Sequence, residues 1–250
     1  MNSRRAGLAA LVGAALLAVL VEPVAAQSYD TTTEALIRDL NSLLLYVAVP
    51  IAVLVEGILI YTVWKYRKND EPEPTKENRR LEIAWTVATA VILVAVGVGA
   101  YVVMANPYVT AASEQTLQEE QEPLEVRAEA QQFGWTFVYP NETVREVTGE
   151  DQRVVVSGAT GSMTLPTDRP VEINVTSRDV IHAFHAPGLG LKQDAMPGQY
   201  QAILTKPTST GEYQLYCAEY CGAGHSGMLA TIEVTEEEEF ADWMNEQVES

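Results

Sequence analysis

"YCAEYCGAGHSGM", Tyr216 to Met228, gathers the chain's only two cysteines, one of its three histidines and one of its six methionines into thirteen positions. Two lone cysteines in an extracytoplasmic chain ordinarily pair as a disulfide. A bridge from Cys217 to Cys221 would close a very small loop, where the chain-entropy gain is least and strain is greatest. His225 and Met228 follow four and seven residues after Cys221, a coordinating spacing with no part in a disulfide. Thiolate, imidazole and thioether donors together select copper. One thiolate with two imidazoles and a weak thioether makes a mononuclear blue centre, and this loop has a thiolate more than that needs. Two thiolates can bridge two copper ions, each finished by one imidazole and one weak ligand. The second imidazole must come from elsewhere, and "SRDVIHAFHAP" offers His182 and His185. Three residues apart on an extended strand they point to opposite faces, so one of them enters the site, and spacing alone does not choose. Zinc held by two Cys and two His is the rival metal, and it would leave Met228 idle.

The rest of the chain says where such a site sits. Arg4 and Arg5 precede an apolar run that ends in Val24-Ala25-Ala26 before Gln27, the arrangement of a secretory signal over residues 1–26 cleaved after Ala26, with an uncleaved anchor as the alternative. Two further apolar stretches, about 43–64 and 83–104, each suffice to cross a hydrocarbon core of about 30 Å as a helix. Lys65, Arg67, Lys68, Lys76, Arg79 and Arg80 crowd the loop between them, which places that loop in the cytoplasm and everything after the second span outside. From Ser113 onward 24 Asp and Glu stand against 7 Lys and Arg. A surface of that sign suits a basic protein partner or concentrated salt, as in a protein from a halophile, and repels nucleic acid.

Beyond a polar linker, short runs rich in Val, Ile, Thr and aromatics alternate with Pro and Gly: "LEVRAEAQQFGWTFVYP", "RVVVSGATGSMTLP", "PVEINVTSRDVIHAFHAP", "YQAILTKPTSTGEYQLYCAEY" and "GMLATIEVT". This is the spacing of an antiparallel sandwich or small barrel. Val171, Ile173 and Val175 face a core, with Glu172, Asn174 and Thr176 outward. Thr235 and Glu238 read as a capping box opening a short helix through Trp243. The expected division is a signal at 1–26, a two-helix membrane hairpin at 27–106, a linker at 107–122 and an extracytoplasmic domain at 123–250.

From first span to final strand the chain resembles subunit II of the haem-copper cytochrome c oxidases, which carries the binuclear CuA centre. "CAEYCGAGHSGM" has the family's Cys-x-Glu-x-Cys-Gly-x-x-His-x-x-Met at every defined position, and "SRDVIHAFHAPGLGLKQDAMPG" resembles the segment that supplies the first histidine. The resemblance implies a membrane-anchored, cupredoxin-like Greek-key β-sandwich in a cell's plasma membrane. It implies that Cys217 and Cys221 bridge two coppers, that His182 and His225 each bind one, and that Met228 and the Glu219 backbone carbonyl complete the set. His185 becomes a non-ligand. The Glu219 side chain would share a magnesium ion with subunit I, and the chain would pass electrons from cytochrome c or a small blue copper protein to haem in subunit I, with subunit III and membrane lipid as further neighbours. Oxygen chemistry would belong to another subunit.

"RRLEIAWT" resembles the start of the family's second helix, which puts Glu82 at the mouth of a proton-uptake path. Glu56, deeper in the first span, is a second costly carboxylate for which the resemblance supplies no role; contact with another subunit is its simplest use. "AQQFGWTFVY" departs from the family, because Phe133 stands where most members have the tryptophan that admits electrons, and Trp135 follows two residues on. Either Trp135 is the port or Phe133 marks a different donor; as core residues the two would share a strand face. A thioredoxin-like copper carrier shares the paired cysteines and a remote histidine, but its βαβ pattern is absent here. Nitrous oxide reductase needs a large catalytic domain for which there is no room, and a quinol-oxidase subunit lacks the cysteines.

Overall fold

The computed structural model describes residues 29–249 apart from 72, 73, 75, 111–121 and 159–161, so the expected signal at 1–26 lies outside the described residues. Two long helices come first, α1 (Thr32–Tyr66) and α2 (Arg79–Met104), both long and apolar enough to cross a membrane. Each starts earlier than its apolar stretch because a cap residue is available there. Thr31 Oγ1 accepts from the Glu34 amide at 3.0 Å, and Asn78 Oδ1 accepts from the Leu81 amide at 3.1 Å, each satisfying one amide that a helix start leaves without a partner. The polar turns after Thr31 therefore extend the helix ahead of its apolar stretch.

The outer part is a sandwich of two five-stranded sheets. The first contains β1 (Leu124–Gln131), β2 (Gly134–Tyr139), β3 (Val154–Gly158), β5 (Val171–Ser177) and β8 (Gln201–Thr205), in the order β3-β2-β1-β5-β8. The second contains β4 (Ser162–Pro166), β6 (His182–Ala186), β7 (Leu191–Ala195), β9 (Gly211–Cys217) and β10 (Leu229–Thr235), in the order β4-β10-β9-β6-β7. The sheets are not purely antiparallel as the strand runs suggested, since β1 pairs parallel with β5 and β4 parallel with β10. Val171, Ile173 and Val175 are fully buried, as their alternation requires. Two helices complete the domain, α3 (Asn141–Thr148) and α4 (Glu237–Glu249). The capping box at Thr235 does not form: Thr235 ends β10 and its buried hydroxyl has no partner, while the Glu236 carbonyl accepts the Phe240 amide and the helix runs past Trp243.

The end of the sandwich reached by β2 is aromatic. Tyr139 packs edge-on against Trp243 with ring centroids 5.3 Å apart, and Phe240 stacks on Trp243 at 5.9 Å. Buried Tyr139 donates its hydroxyl proton to the Thr164 carbonyl at 2.9 Å and accepts from the Thr164 amide at 2.8 Å, so the edge strand β4 finds in a side chain the partner it lacks in the sheet. Burial raises the Tyr139 phenol well above its ordinary range, which keeps it a neutral donor.

The segment entering α1 is sewn to this domain. Thr31 forms an isolated antiparallel bridge with Pro207, the Thr32 amide donates to the Lys206 carbonyl at 3.2 Å, and the Thr208 amide donates to the Asp30 carbonyl at 2.9 Å. Thr31 also donates its hydroxyl to the Leu189 carbonyl at 2.8 Å, and Thr33 donates to the Tyr108 carbonyl at 2.9 Å. Gly190 sits at φ +67 with its α-carbon facing Glu34, where an added Cβ would lie 3.1 Å from the Glu34 Cα. Both the left-handed backbone and the close approach require glycine there.

Candidate metal centre

β9 and β10 are antiparallel neighbours, and the loop joining them holds the motif. Cys217 closes β9, Cys221 lies in the loop, and His225 opens a short 3-10 turn that ends just before Met228. On its other side β9 pairs with β6, whose register sets Phe184 opposite Cys217 and so brings His182, at the start of β6, beside the loop.

The donors converge. Cys217 Sγ lies 3.9 Å from Cys221 Sγ, nearly twice the length of a disulfide bond (about 2.05 Å), and both cysteines are free. His182 Nδ1 is 3.7 Å from Cys217 Sγ, and His225 Nδ1 is 3.7 Å from Cys221 Sγ. Met228 Sδ lies 3.8 Å from Cys221 Sγ, and the Glu219 carbonyl lies 3.1 Å from Cys217 Sγ. Six donor atoms from His182, Cys217, Glu219, Cys221, His225 and Met228 thus surround one small volume, and the ligand atoms of His182, Cys217 and Cys221 all fall within 4.8 Å of one another. Burial, then the adjacent Cys217 sulfur, push the Cys221 thiol up to about 11, so Cys221 keeps its proton until a cation displaces it. Two soft sulfurs, a thioether and two imidazoles fit copper chemistry.

His182 and His185 divide as strand alternation requires. His182 is fully buried and faces the sulfurs, whereas the His185 ring stands edge-on against Tyr216 at 4.9 Å and its Nδ1 is 3.1 Å from the Leu191 carbonyl. Two residues that sequence reasoning passed over support the site. Asp179 Oδ1 lies 2.8 Å from His182 Nε2, which fixes the imidazole with Nδ1 toward the sulfurs. Burial works to raise the Asp179 carboxyl, but hydrogen bonds from the Gln132 amide, His182 and the Val180 amide outweigh it and hold it at about 2. Gln132 also donates its side-chain amide to the Cys221 carbonyl at 2.5 Å. The three-residue offset between Asp179 and His182 is a signal that the sequence offered; the Gln132 contact spans 89 residues and left none.

The two aromatics of "AQQFGW" part company. Trp135 is buried in the core, edge-on to Phe184 with centroids 5.7 Å apart. Phe133 lies in the turn before β2, is 40% exposed, and rests on the loop between Cys217 and Met228. A Cβ at Gly224 would come within 2.5 Å of its ring, and Gly222, at φ +131, has the ring 3.3 Å from where its Cβ would be. The expectation that both share a strand face fails because Phe133 has already left the strand. Tyr220, 76% exposed, covers His225 at 5.8 Å, and the Glu219 side chain is exposed on a shallow pocket it shares with Asp179, Val180, Ile181 and Pro197. Glu82 lies in the first turn of α2 and is exposed.

Fold and site together define a membrane-anchored β-sandwich with a thiolate-rich centre at one end. The family model for the periplasmic domain of cytochrome c oxidase subunit II matches residues 124–235, and that for the transmembrane domain of the same subunit matches residues 23–103. Cytochrome c oxidase subunit 2 of Cereibacter sphaeroides is 30% identical over 84% of this chain and 75% of its own length. That of Synechocystis sp. is 31% identical over 79% of this chain and 68% of its own. The crystal structure of the periplasmic domain of subunit II of cytochrome oxidase of Bradyrhizobium japonicum is 29% identical, with a TM-score of 0.45, covering 52% of this chain and 96% of that one. The chain belongs to the cytochrome c oxidase subunit II family.

Proposed function

We infer that this chain is the electron-entry subunit of a terminal oxidase, accepting electrons outside the membrane and passing them to haem in subunit I, where oxygen is reduced to water. The observation that carries the reading is the paired arrangement of free thiols, each with its own imidazole nitrogen at 3.7 Å. Cys217 and Cys221 would hold both copper ions between them, His182 and His225 would hold one each, and Met228 with the Glu219 carbonyl would supply the weak ligands. A bound copper pair supplies one-electron redox chemistry with little rearrangement. The protein's part is to keep the donors in place: Asp179 orients His182, Gln132 anchors the loop at the Cys221 carbonyl, and the closed core around Met228 excludes water.

Electron entry is assigned to Phe133 and Trp135, with Phe133 as the exposed member and Trp135 behind it against Phe184. The donor is cytochrome c or a small blue copper protein, drawn to an outer region where 24 acidic residues face 7 basic ones and which equally repels nucleic acid. The exposed Glu219 carboxylate is the hard oxygen donor for a magnesium ion shared with subunit I. Glu82, at the cytoplasmic start of α2, collects protons for subunit I. The hairpin at 27–106 lies in the plasma membrane among lipid and the partner subunits, I and III, and the linker at 107–122 leads to the copper domain at 123–250.

The test is copper content with an EPR spectrum of the copper-loaded chain. Two copper ions sharing one unpaired electron are expected, with the spectrum disrupted by His182→Ala and nearly unchanged by His185→Ala. One tightly held zinc, a Cys217–Cys221 disulfide in the loaded protein, or the reverse order of the histidines would sink the reading. Glu219→Gln should keep both coppers and weaken manganese binding, as a magnesium substitute, in the assembled oxidase.

A further inference from the structure

Within the apolar stretch of α1 one carboxylate, that of Glu56, stands without a partner among the described residues. Glu56 lies in α1 nine residues before Lys65, about 13 Å along the helix at 1.5 Å per residue and so near the middle of a hydrocarbon core about 30 Å thick. Among the described residues it has no hydrogen bond or ion pair. Its neighbours one turn away, Ala52, Val53, Leu59 and Ile60, are apolar.

Nor does α2 cover it. Residues 50–66 of α1 and 79–95 of α2 are exposed throughout, while the partly covered residues, among them Leu44, Val49, Val96, Gly99, Ala100 and Val103, lie toward the outer ends. The two helices therefore meet near the sandwich and leave their cytoplasmic halves bare. Gly57, beside Glu56, adds a notch, since a Cβ built there would meet nothing within 4 Å. A small residue lets another helix approach closely, and in lipid a polar group that finds a donor across such a contact holds the helices together. A carboxyl group left facing hydrocarbon tails is costly in either protonation state.

We propose that Glu56 and the Gly57 notch form the docking point of α1 for a transmembrane helix of the haem-bearing subunit, which presents a basic side chain or another hydrogen-bond donor to the Glu56 carboxyl. The inference rests on the assignment of this chain to the oxidase. It concerns assembly within the membrane, separate from the copper centre.

The full chain, tagged and expressed with the other oxidase subunits, tests it by the haem recovered per chain in mild detergent, with copper content and EPR read on the same sample. Glu56→Leu should lower recovered haem at least about fivefold with the copper spectrum unchanged, and Glu56→Gln, which keeps a hydrogen-bonding amide, should retain most of it. Wild-type recovery with Leu overturns the proposal, as does loss of the copper spectrum alongside haem, which would make the effect one of folding. Slowed turnover in a fully assembled Leu variant also overturns it and moves Glu56 to proton handling. Failure of the wild-type chain to bring down any haem would count against the oxidase assignment instead.

Discussion

The two ends of the sandwich are built from different materials. At the end where β2 finishes, large aromatic side chains fill the space and a tyrosine hydroxyl closes the backbone of an edge strand. At the end where β9 finishes, sulfur and imidazole groups face one another at 3.7 to 3.9 Å, and the loop around them is glycine-rich. The first end holds the fold, and the second trades packing for a site that a metal completes. Mutations should therefore separate cleanly, with stability lost at one end and copper lost at the other.

The sharpest break of that division comes from the sulfurs. Cys217→Ser should abolish the two-copper spectrum outright, because a hydroxyl is neither soft nor readily deprotonated, while the thermal midpoint of the metal-free protein stays within a few degrees of wild type. A large drop in that midpoint would show that the copper end also carries the fold. At the opposite end, Phe240→Ala empties a buried ring site and should cost about 3–5 kcal/mol in denaturant unfolding, with a normal copper spectrum in the molecules that remain folded. Tyr139→Phe leaves the Thr164 amide and carbonyl without their buried partner and should cost about 1–3 kcal/mol, again without touching copper. The smallest effect tests the border between the two ends. Phe133→Ala should slow oxidation of the natural donor several-fold without altering the copper spectrum or the unfolding midpoint, whereas Trp135→Phe, in the core, should mainly lower stability. Donor oxidation that is slowed by the Trp135 change and not by the Phe133 change would reverse the order of the two aromatics.

The loop from Cys217 to Met228 was legible because its information is local. Four side-chain donors and the carbonyl of a fifth residue fall within twelve consecutive positions, and strand alternation was enough to show that one of His182 and His185 must face away. Periodicity also exposed β5, where every second residue is apolar. What escaped was non-local or lacked pattern. The parallel pairings of β1 with β5 and of β4 with β10 join segments far apart in the chain, and no spacing announces them. β7 reads "LKQDA", with no β-branched or aromatic run, and takes its extended form from pairing with β6. α3, "NETVREVT", is too polar to stand out and is fixed by tertiary contact, with Thr143 bonded to β1 through the Glu125 amide and carbonyl. At Thr235 a correct local motif lost to the sheet, which kept the residue as a strand end.

The stitching of Asp30, Thr31 and Thr32 to the loop at Lys206 to Thr208 bears on the rate at which electrons leave this chain. Electron tunnelling weakens exponentially with distance, so a copper domain that swayed on a single tether would transmit efficiently in only a fraction of its orientations. Here the segment entering α1 is bonded to the sandwich itself. A sandwich bonded to the start of α1 follows that helix more closely than one on a free tether. The tunnelling distance is consequently set by where the hairpin is seated among its neighbouring helices, and a change of seat inside the membrane would be read outside it as a change in electron transfer rate.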